Sequence, residues 1–421
     1  MIKTIEILPG VVLRCCRDTR FKQGRLSFQF IRPMDKGEAA LNALLPDVML
    51  RGTQDHPSLR SINQHLDANY GVGMGALVRR IGDYQTCGFG FALLEDRFAL
   101  AGDSVLEGVL CFLEELLTRP LVEKGAFLPE IVETEKKNLI SAIESELNNK
   151  AAYSMGKLLK SMCRADTFGL PRLGEKDDVA AVQPGELYDH FLRLRRESHI
   201  EVFYVGSADA EALARRIRRL VGKWDRNYVN LPGQTAFNPV EGEHLRESMD
   251  IAQGKLSMGF ITPVNNRHPQ FAAMQVFNVI FGAGMTSKLF QNVREKMSLC
   301  YSVGSSYYGS KGIVTVGAGI DFDKEDATRA EVLHQLELCK QGEITAEELT
   351  AAKAAIRSSL RATHDTPGAI EGYYSTAALS GMAMTPAEYM EAVEALTTQE
   401  VVAAANTVTY HSSHFLKGED A

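Results

Sequence analysis

The residues best suited to chemistry are scattered, and most have an ordinary structural reading. His411 and His414 could share a metal, but zinc usually takes at least three protein ligands and no third donor lies nearby. His56, His65, His190, His199, His244, His268, His334 and His364 show no ligand spacing. Gly71-x-Gly73-x-Gly75 and Gly282-x-Gly284 lack the Lys-Ser/Thr of a phosphate loop and the βαβ setting of a dinucleotide site, so they read as turns. Glu144 and Glu146 read as a solvated helix face, because Glu is rarely buried unpaired. Arg193, Arg195 and Arg196 read as a solvated helix end that suits the helix dipole. Arg294 and Tyr301 are two strong hydrogen-bond donors seven positions apart. Taken alone, an arginine paired with a nearby acid and a tyrosine filling core account for them.

The elements that must position these residues come from a duplication. Gln23-Gly24-Arg25-Leu26-Ser27-Phe28-Gln29-Phe30-Ile31-Arg32-Pro33 matches Gln253-Gly254-Lys255-Leu256-Ser257-Met258-Gly259-Phe260-Ile261-Thr262-Pro263 at seven of eleven positions, with an offset of 230. The offset runs without a gap through Ala43/Ala273 to Gly52/Gly282, giving nine identities in thirty positions, where background composition gives about two. Leu26, Phe28 and Phe30 alternate with their neighbours, as do Leu256, Met258 and Phe260, so each copy opens on a half-buried strand. A helix follows, with Leu41, Leu44, Leu45 and Val48 on one face in the first copy and an apolar run from Phe271 to Ile280 in the second. A second helix, a strand region and a run of helices come next, and each copy closes near a short strand, Ile200 to Val205 and His414 to Leu416.

Strands segregated from helices predict an α+β fold, each domain a mainly antiparallel sheet with helices on one face. The predicted division is 1–224 and 243–421, joined by a linker over 225–242 that is rich in Asn, Pro and Gly.

The segment Gly282-Ala283-Gly284-Met285-Thr286-Ser287-Lys288-Leu289-Phe290-Gln291-Asn292-Val293-Arg294-Glu295-Lys296-Met297-Ser298-Leu299-Cys300-Tyr301-Ser302-Val303 resembles the second-domain signature of the pitrilysin/insulinase family of zinc peptidases, in the subfamily of the mitochondrial processing peptidase. The resemblance implies two homologous α+β domains facing each other as a clamshell. It also implies a first-domain helix carrying His-x-x-Glu-His, two zinc ligands one turn apart with Glu as general base, and a further Glu ligand in a downstream Glu-x6-Glu. Counted back from Arg51-Gly52-Thr53, the ligand positions hold Ala43 and Asp47 and the base position holds Pro46, which should kink or shorten the helix. Downstream, Glu135 is present but Ala142 stands where the ligand belongs. No metal or other cofactor is therefore expected. In the second domain the resemblance assigns Arg294 and Tyr301 to the peptide near the scissile bond, where their donors suit peptide carbonyls and a developing oxyanion.

Composition narrows the partners. The net charge of −7 offers no basic field for nucleic acid, and the apolar runs are too short to span a membrane. The N-terminus does not read as a signal peptide, and seven cysteines without a Cys-x-x-Cys read as buried thiols in a reducing cytoplasm. The reading this supports is a non-catalytic subunit of a two-chain zinc metallopeptidase, inactive alone. Such a subunit would bind peptide through Arg294 and Tyr301 and pair with a zinc-bearing bacterial paralogue as a heterodimer, or with itself as a homodimer. The peptide would add as a strand to a sheet edge. The alternative is a structural or peptide-binding protein of the same fold with no part in hydrolysis. An autonomous peptidase is weakest, since no Ser/His/Asp or Cys/His constellation is present.

Overall fold

The computed structural model describes residues 2–146 and 148–419. The first half of the chain runs β1 (Ile2–Leu8), β2 (Val11–Arg17), β3 (Gln23–Pro33), α1 (Lys36–Met49), α2 (Leu59–Ala68), β4 (Gly73–Ile81), β5 (Tyr84–Leu94) and α3 (Val105–Thr118). A two-residue hairpin β6 (Val122–Glu123) and β7 (Ala126–Phe127) then leads to α4 (Pro129–Glu146), α5 (Lys150–Met162), α6 (Lys176–Ala181), α7 (Pro184–Glu197), β8 (His199–Gly206) and α8 (Ala210–Val221). The second half gives β9 (His244–Ser248), β10 (Gly254–Ile261), α9 (Phe271–Phe281), β11 (Cys300–Tyr308), β12 (Ile313–Ile320), α10 (Glu325–Gln341), α11 (Ala346–Ala362), α12 (Pro367–Ser380), α13 (Pro386–Ala395), α14 (Thr398–Ala405) and β13 (Thr409–Lys417). Residues 225–243 carry no regular element.

The two sheets repeat one topology. The first has the order β1-β2-β8-β3-β5-β4 and the second β11-β12-β10-β13-β9, which is the same order read backwards without an equivalent of β1. In both, the strand that closes the half pairs antiparallel with the repeat strand and parallel with the strand beyond it, β8 with β3 and β2, β13 with β10 and β9. Leu26, Phe28 and Phe30 of β3 and Leu256, Met258 and Phe260 of β10 are fully buried on the face that carries the helices, as the period-two alternation requires.

Two features depart from the sequence reading. The chain packs as two compact units, but neither is continuous: the first takes residues up to Ile143, Leu170–Gly233 and His364–Ser375, and the second Glu144–Gly169, Gln234–Thr363 and Thr376–Ala421. The division at 225–242 describes the duplication along the sequence, whereas in the packing each sheet receives one helix from the other half. In the second unit α5 lies on the reverse face of β10, where a side chain at Gly259 would meet the Met162 sulfur at 2.1 Å. In the first unit the start of α12 lies on the reverse face of β3. Second, the glycine run does not end in turns: Gly71 turns with φ +68°, but Gly73 and Gly75 lie inside β4.

Candidate functional site

α1 starts at Asp35, whose carboxylate accepts from the Gly37 N–H, and runs through Pro46 to Met49 without stopping. The expected shortening does not occur: Pro46 forfeits its one N–H bond and crowds the carbonyl one turn back, but Leu44, Leu45, Val48 and Met49 are all buried, and their packing holds the last turn. The helix is also pinned by side chains: Asn42 donates to Gln85 at 2.9 Å and its carbonyl meets His190 Nε2 at 2.8 Å. His190 is buried, and with Arg193 and Arg32 close by its pKa falls to about 4 despite the opposing charge of Glu38, so it is a neutral strut. Arg193 and Arg195 are not simply solvated. Arg193 reaches His190 and Glu38, and the Arg195 guanidinium lies 4.6 Å from the Trp224 ring centroid.

The positions that the resemblance assigns to zinc offer one carboxylate, Asp47, and no imidazole. Ala43 is buried in the core, Pro46 supplies no donor, Asp47 is exposed and Ala142 is exposed on the last turns of α4. Glu135, the one family-type carboxylate present, is ion-paired with Arg51 and accepts from Asn138 at 3.0 Å. A cation of the protein's own thus already pairs with it. Among the described residues no group of three or more His, Cys, Asp or Glu is placed to hold a metal ion. These residues do not fit zinc.

Beside this helix lies a cavity of about 360 Å³ lined by Asp47, Arg51, Leu66, Met74 and Ala76 among others, so it opens against the edge strand β4. The edge is usable. The two-residue turn Gly82-Asp83 closes on the pair Ile81↔Tyr84, which is a hydrogen-bonded pair in such hairpins. Counting back by two makes Arg79, Leu77 and Gly75 the residues that bond to β5, and turns the N–H and C=O of Val78, Ala76 and Met74 outward. The Val78 carbonyl indeed accepts from the Arg172 guanidinium at 3.3 Å. Among the described residues Met74 and Ala76 make no backbone bond beyond the sheet.

The matching edge in the second unit is β11. Ala76 faces Phe89, which faces Phe28, and Ser305 faces Val316, which faces Met258. Phe28 and Met258 are repeat equivalents, so Ala76 and Ser305 occupy the same place. Here, however, the outward Ser305 N–H donates to the Gly282 carbonyl at 3.0 Å, and the Ser305 hydroxyl bonds Asn278 Oδ1 at 2.8 Å. A side chain at Gly282 would stand 2.6 Å from the Ser305 Oγ, so glycine permits this close approach.

Arg294 and Tyr301 do converge. Arg294 lies on a short helix of π winding, Leu289–Lys296, and Tyr301 at the start of β11, and both line one cavity of about 340 Å³ with Glu295, Ser298, Asp321 and Lys324. The Arg294 guanidinium stacks 4.6 Å from the Phe290 ring centroid and pairs with Glu295 at 3.2 Å. Tyr301 does not fill core: it is 63% exposed, and its hydroxyl donates to Asp321 Oδ1 at 3.1 Å. Lys324 and the Tyr301 hydroxyl together hold the Asp321 carboxyl below its ordinary value.

The His411/His414 pair is structural. The two rings take separate partners, His411 Nε2 lying 2.7 Å from the Val240 carbonyl and His414 Nδ1 2.9 Å from Ser154 Oγ. Glu247 stands 3.3 Å from His414 Nε2. The resulting Ser-His-Glu chain was invisible in the sequence because Ser154 is 260 residues from His414. Both Ser154 and His414 are buried, and Ser154 Oγ is also bonded to Ser257, so no substrate reaches the hydroxyl. Six of the seven cysteines are buried; Cys111 is exposed.

Known proteins agree with this picture. The Peptidase M16 inactive domain matches residues 181–356. The "Probable inactive metalloprotease YmfF" of Bacillus subtilis is 27% identical over 411 residues, covering 98% of this chain and 96% of that one. A conserved protein from Enterococcus faecalis superposes over 100% of this chain and 99% of its own with a TM-score of 0.91 at 24% identity. A peptidase M16 inactive domain from Pseudomonas fluorescens superposes over 99% and 98% with a TM-score of 0.82 at 15% identity, and at these identities the two structures speak for the fold. With the duplicated α+β sheets, these matches make the chain similar to proteins of the M16, or pitrilysin/insulinase, family, its residues 181–356 matching that family's inactive domain.

Proposed function

We propose that this protein is the non-catalytic subunit of a two-chain zinc metallopeptidase, holding an extended peptide for a zinc-bearing paralogue with an intact His-x-x-Glu-His. The observation that carries the reading is the sharing of one solvent-open cavity by Arg294 and Tyr301 in a chain whose zinc positions hold no donor set. Guanidinium and phenol can hydrogen-bond a peptide carbonyl and the oxyanion formed when water attacks it, which is useful only where a metal centre is supplied from outside. The open β4 edge offers the second requirement, main-chain pairing with an extended segment. No helix of the described chain is long and apolar enough to cross a membrane; a cytoplasmic complex is part of the proposal. A second reading, peptide binding with no part in hydrolysis, draws on the same β4 edge, which needs no metal to be used.

The test is peptide hydrolysis by this chain alone, by a zinc-bearing paralogue alone and by the mixture. Activity confined to the mixture and lost with Arg294→Ala or Tyr301→Phe supports the proposal. Zinc-dependent cleavage by this chain alone would sink it, and a stable complex that cleaves nothing favours the second reading.

A further inference from the structure

Tyr301 is exposed, is the second residue of the edge strand β11, and among the described residues makes one side-chain hydrogen bond, to Asp321. Arg294 and Tyr301 are joined by a tight turn in which Ser298, a non-glycine residue, adopts φ +51°. That conformation is costly for a residue with a Cβ and persists only where its surroundings impose it. Within the turn the Ser298 N–H donates to the Arg294 carbonyl at 3.2 Å and the Leu299 N–H to the Val293 carbonyl at 2.9 Å. The Ser298 carbonyl is taken by Lys324 Nζ at 3.2 Å, and the same ammonium pairs with Asp321 Oδ2 at 2.8 Å. One lysine therefore touches both the turn that spaces the two donors and the carboxylate that holds the phenol.

We propose that Asp321 and Lys324 are the positioning pair of this site: Asp321 keeps the Tyr301 ring over the cavity through its hydroxyl, and Lys324 fixes both Asp321 and the Ser298 turn. The inference rests on the peptide-binding reading above and names the residues that set it up. Without Asp321 the exposed phenol would have to be ordered by the peptide itself, at a cost in affinity. The pair acts through Tyr301 and Arg294 and need not touch the peptide.

The test uses the whole chain and a fluorescein-labelled, unstructured peptide mixture, with affinity read by anisotropy and folding checked by circular dichroism. Asp321→Ala should weaken binding about threefold to tenfold and should have no further effect once Tyr301→Phe is present. Lys324→Met should weaken binding similarly, and Lys324→Arg should restore most of it. A peptide-free readout comes from fluorotyrosine at position 301. Its fluorine resonance should shift with an acid midpoint below the ordinary Asp range, the titrating group facing Lys324, Arg294, Glu295 and Cys300, and the step should vanish in Asp321→Asn.

Asp321→Ala having no effect, or weakening binding equally in the Tyr301→Phe background, overturns the positioning role. So does a resonance indifferent to Asp321→Asn. If Arg294→Ala and Tyr301→Phe weaken binding while Asp321→Ala does not, the positioning role falls and the peptide-binding reading stands; a wild-type chain that binds no peptide overturns both.

Discussion

Ala76 and Ser305 hold the same place in two copies of one sheet, yet the N–H of the first has no backbone partner among the described residues, at an edge beside a cavity, and the second spends its N–H on the Gly282 carbonyl. The reverse faces differ as well. In the first unit α12 brings Glu371, fully buried, against Arg25 at 2.6 Å and Arg79 at 3.1 Å, with Gln29 alongside. In the second unit α5 brings the neutral Ser154 against His414 and Ser257. Identical topology therefore fixes neither the edge nor the far face. The first sheet is locked behind by a buried carboxylate between two guanidinium groups and open at its edge, whereas the second is held behind by hydrogen bonds among Ser154, Ser257 and His414 and plugged, with its donors gathered at the end of the edge strand.

The largest effect should come from the charged lock. Glu371→Ala leaves two guanidinium groups facing the sheet without their carboxylate, and breaking a buried pair from one side costs about 3 kcal/mol where the cations keep partial access to water. Ser154→Ala removes one buried hydroxyl and should cost about 1 kcal/mol. Chemical denaturation of the two variants measures the difference, and equal losses would break the contrast.

Acid should separate the same two locks. His414 is buried, and its pKa is lowered despite the opposing pull of Glu247. An imidazole that resists protonation in the fold but accepts it when unfolded makes stability fall as pH drops below the ordinary histidine value of 6.5, by up to about 1.4 kcal/mol per pH unit for one proton. For Glu371, burial opposes ionisation, but the Arg79 charge and the Arg25 hydrogen bond outweigh it and depress the pKa. Its contribution is intact above the ordinary value of 4.5 and is lost only below that. Hydrogen exchange resolved by peptide should show α5 loosening first as pH falls, then the start of α12; the reverse order would contradict the assignment.

The edges are tested by proline. At an outward position proline removes an N–H the sheet does not use, so Ala76→Pro should fold nearly as well as the wild type but lose peptide affinity about tenfold. Ser305→Pro should cost stability, because its N–H is bonded to Gly282, and leave binding at β4 intact. Peptide anisotropy together with thermal melting of each variant decides it.

Much of this was readable from residue order. The repeat located β3 and β10, and period-two alternation marked their buried faces, because a strand lying on one core must alternate. β4 was missed because Gly73 and Gly75 carry no side chain and so weaken both the alternation and the propensity that mark a strand. The exchange of α5 and α12 was not legible either, since an apolar helix face says that a helix is buried but not on which sheet. A faint signal existed in Ser27, Gln29, Ser257 and Gly259: small or polar residues on the second face of a central strand mean that something polar or close-packed covers it. That Arg294 and Tyr301 line one cavity was foreshadowed because they stand seven residues apart in one local segment. Asp321 and Lys324 were not, because β12 folds them back from some twenty residues along the chain.

The smallest effect concerns the two equivalent helices. Pro46 and Val276 stand 230 positions apart, and both lie within helices, α1 and α9, whose surroundings are buried. Val276 can make its helical hydrogen bond; Pro46 cannot, and its ring presses on the Asn42 carbonyl one turn back. Because Pro46 lies in the last turn and also stiffens the unfolded chain, the two effects partly offset. Pro46→Ala should therefore raise stability by no more than about 1 kcal/mol, seen as a small rise in the denaturation midpoint with an unchanged slope. A large gain would mean that α1 is strained through its length, and a loss would mean that the ring itself is needed to pack the helix. In either case α1 would no longer be the rigid counterpart of α9, and the difference between the two halves would extend from the edges into their cores.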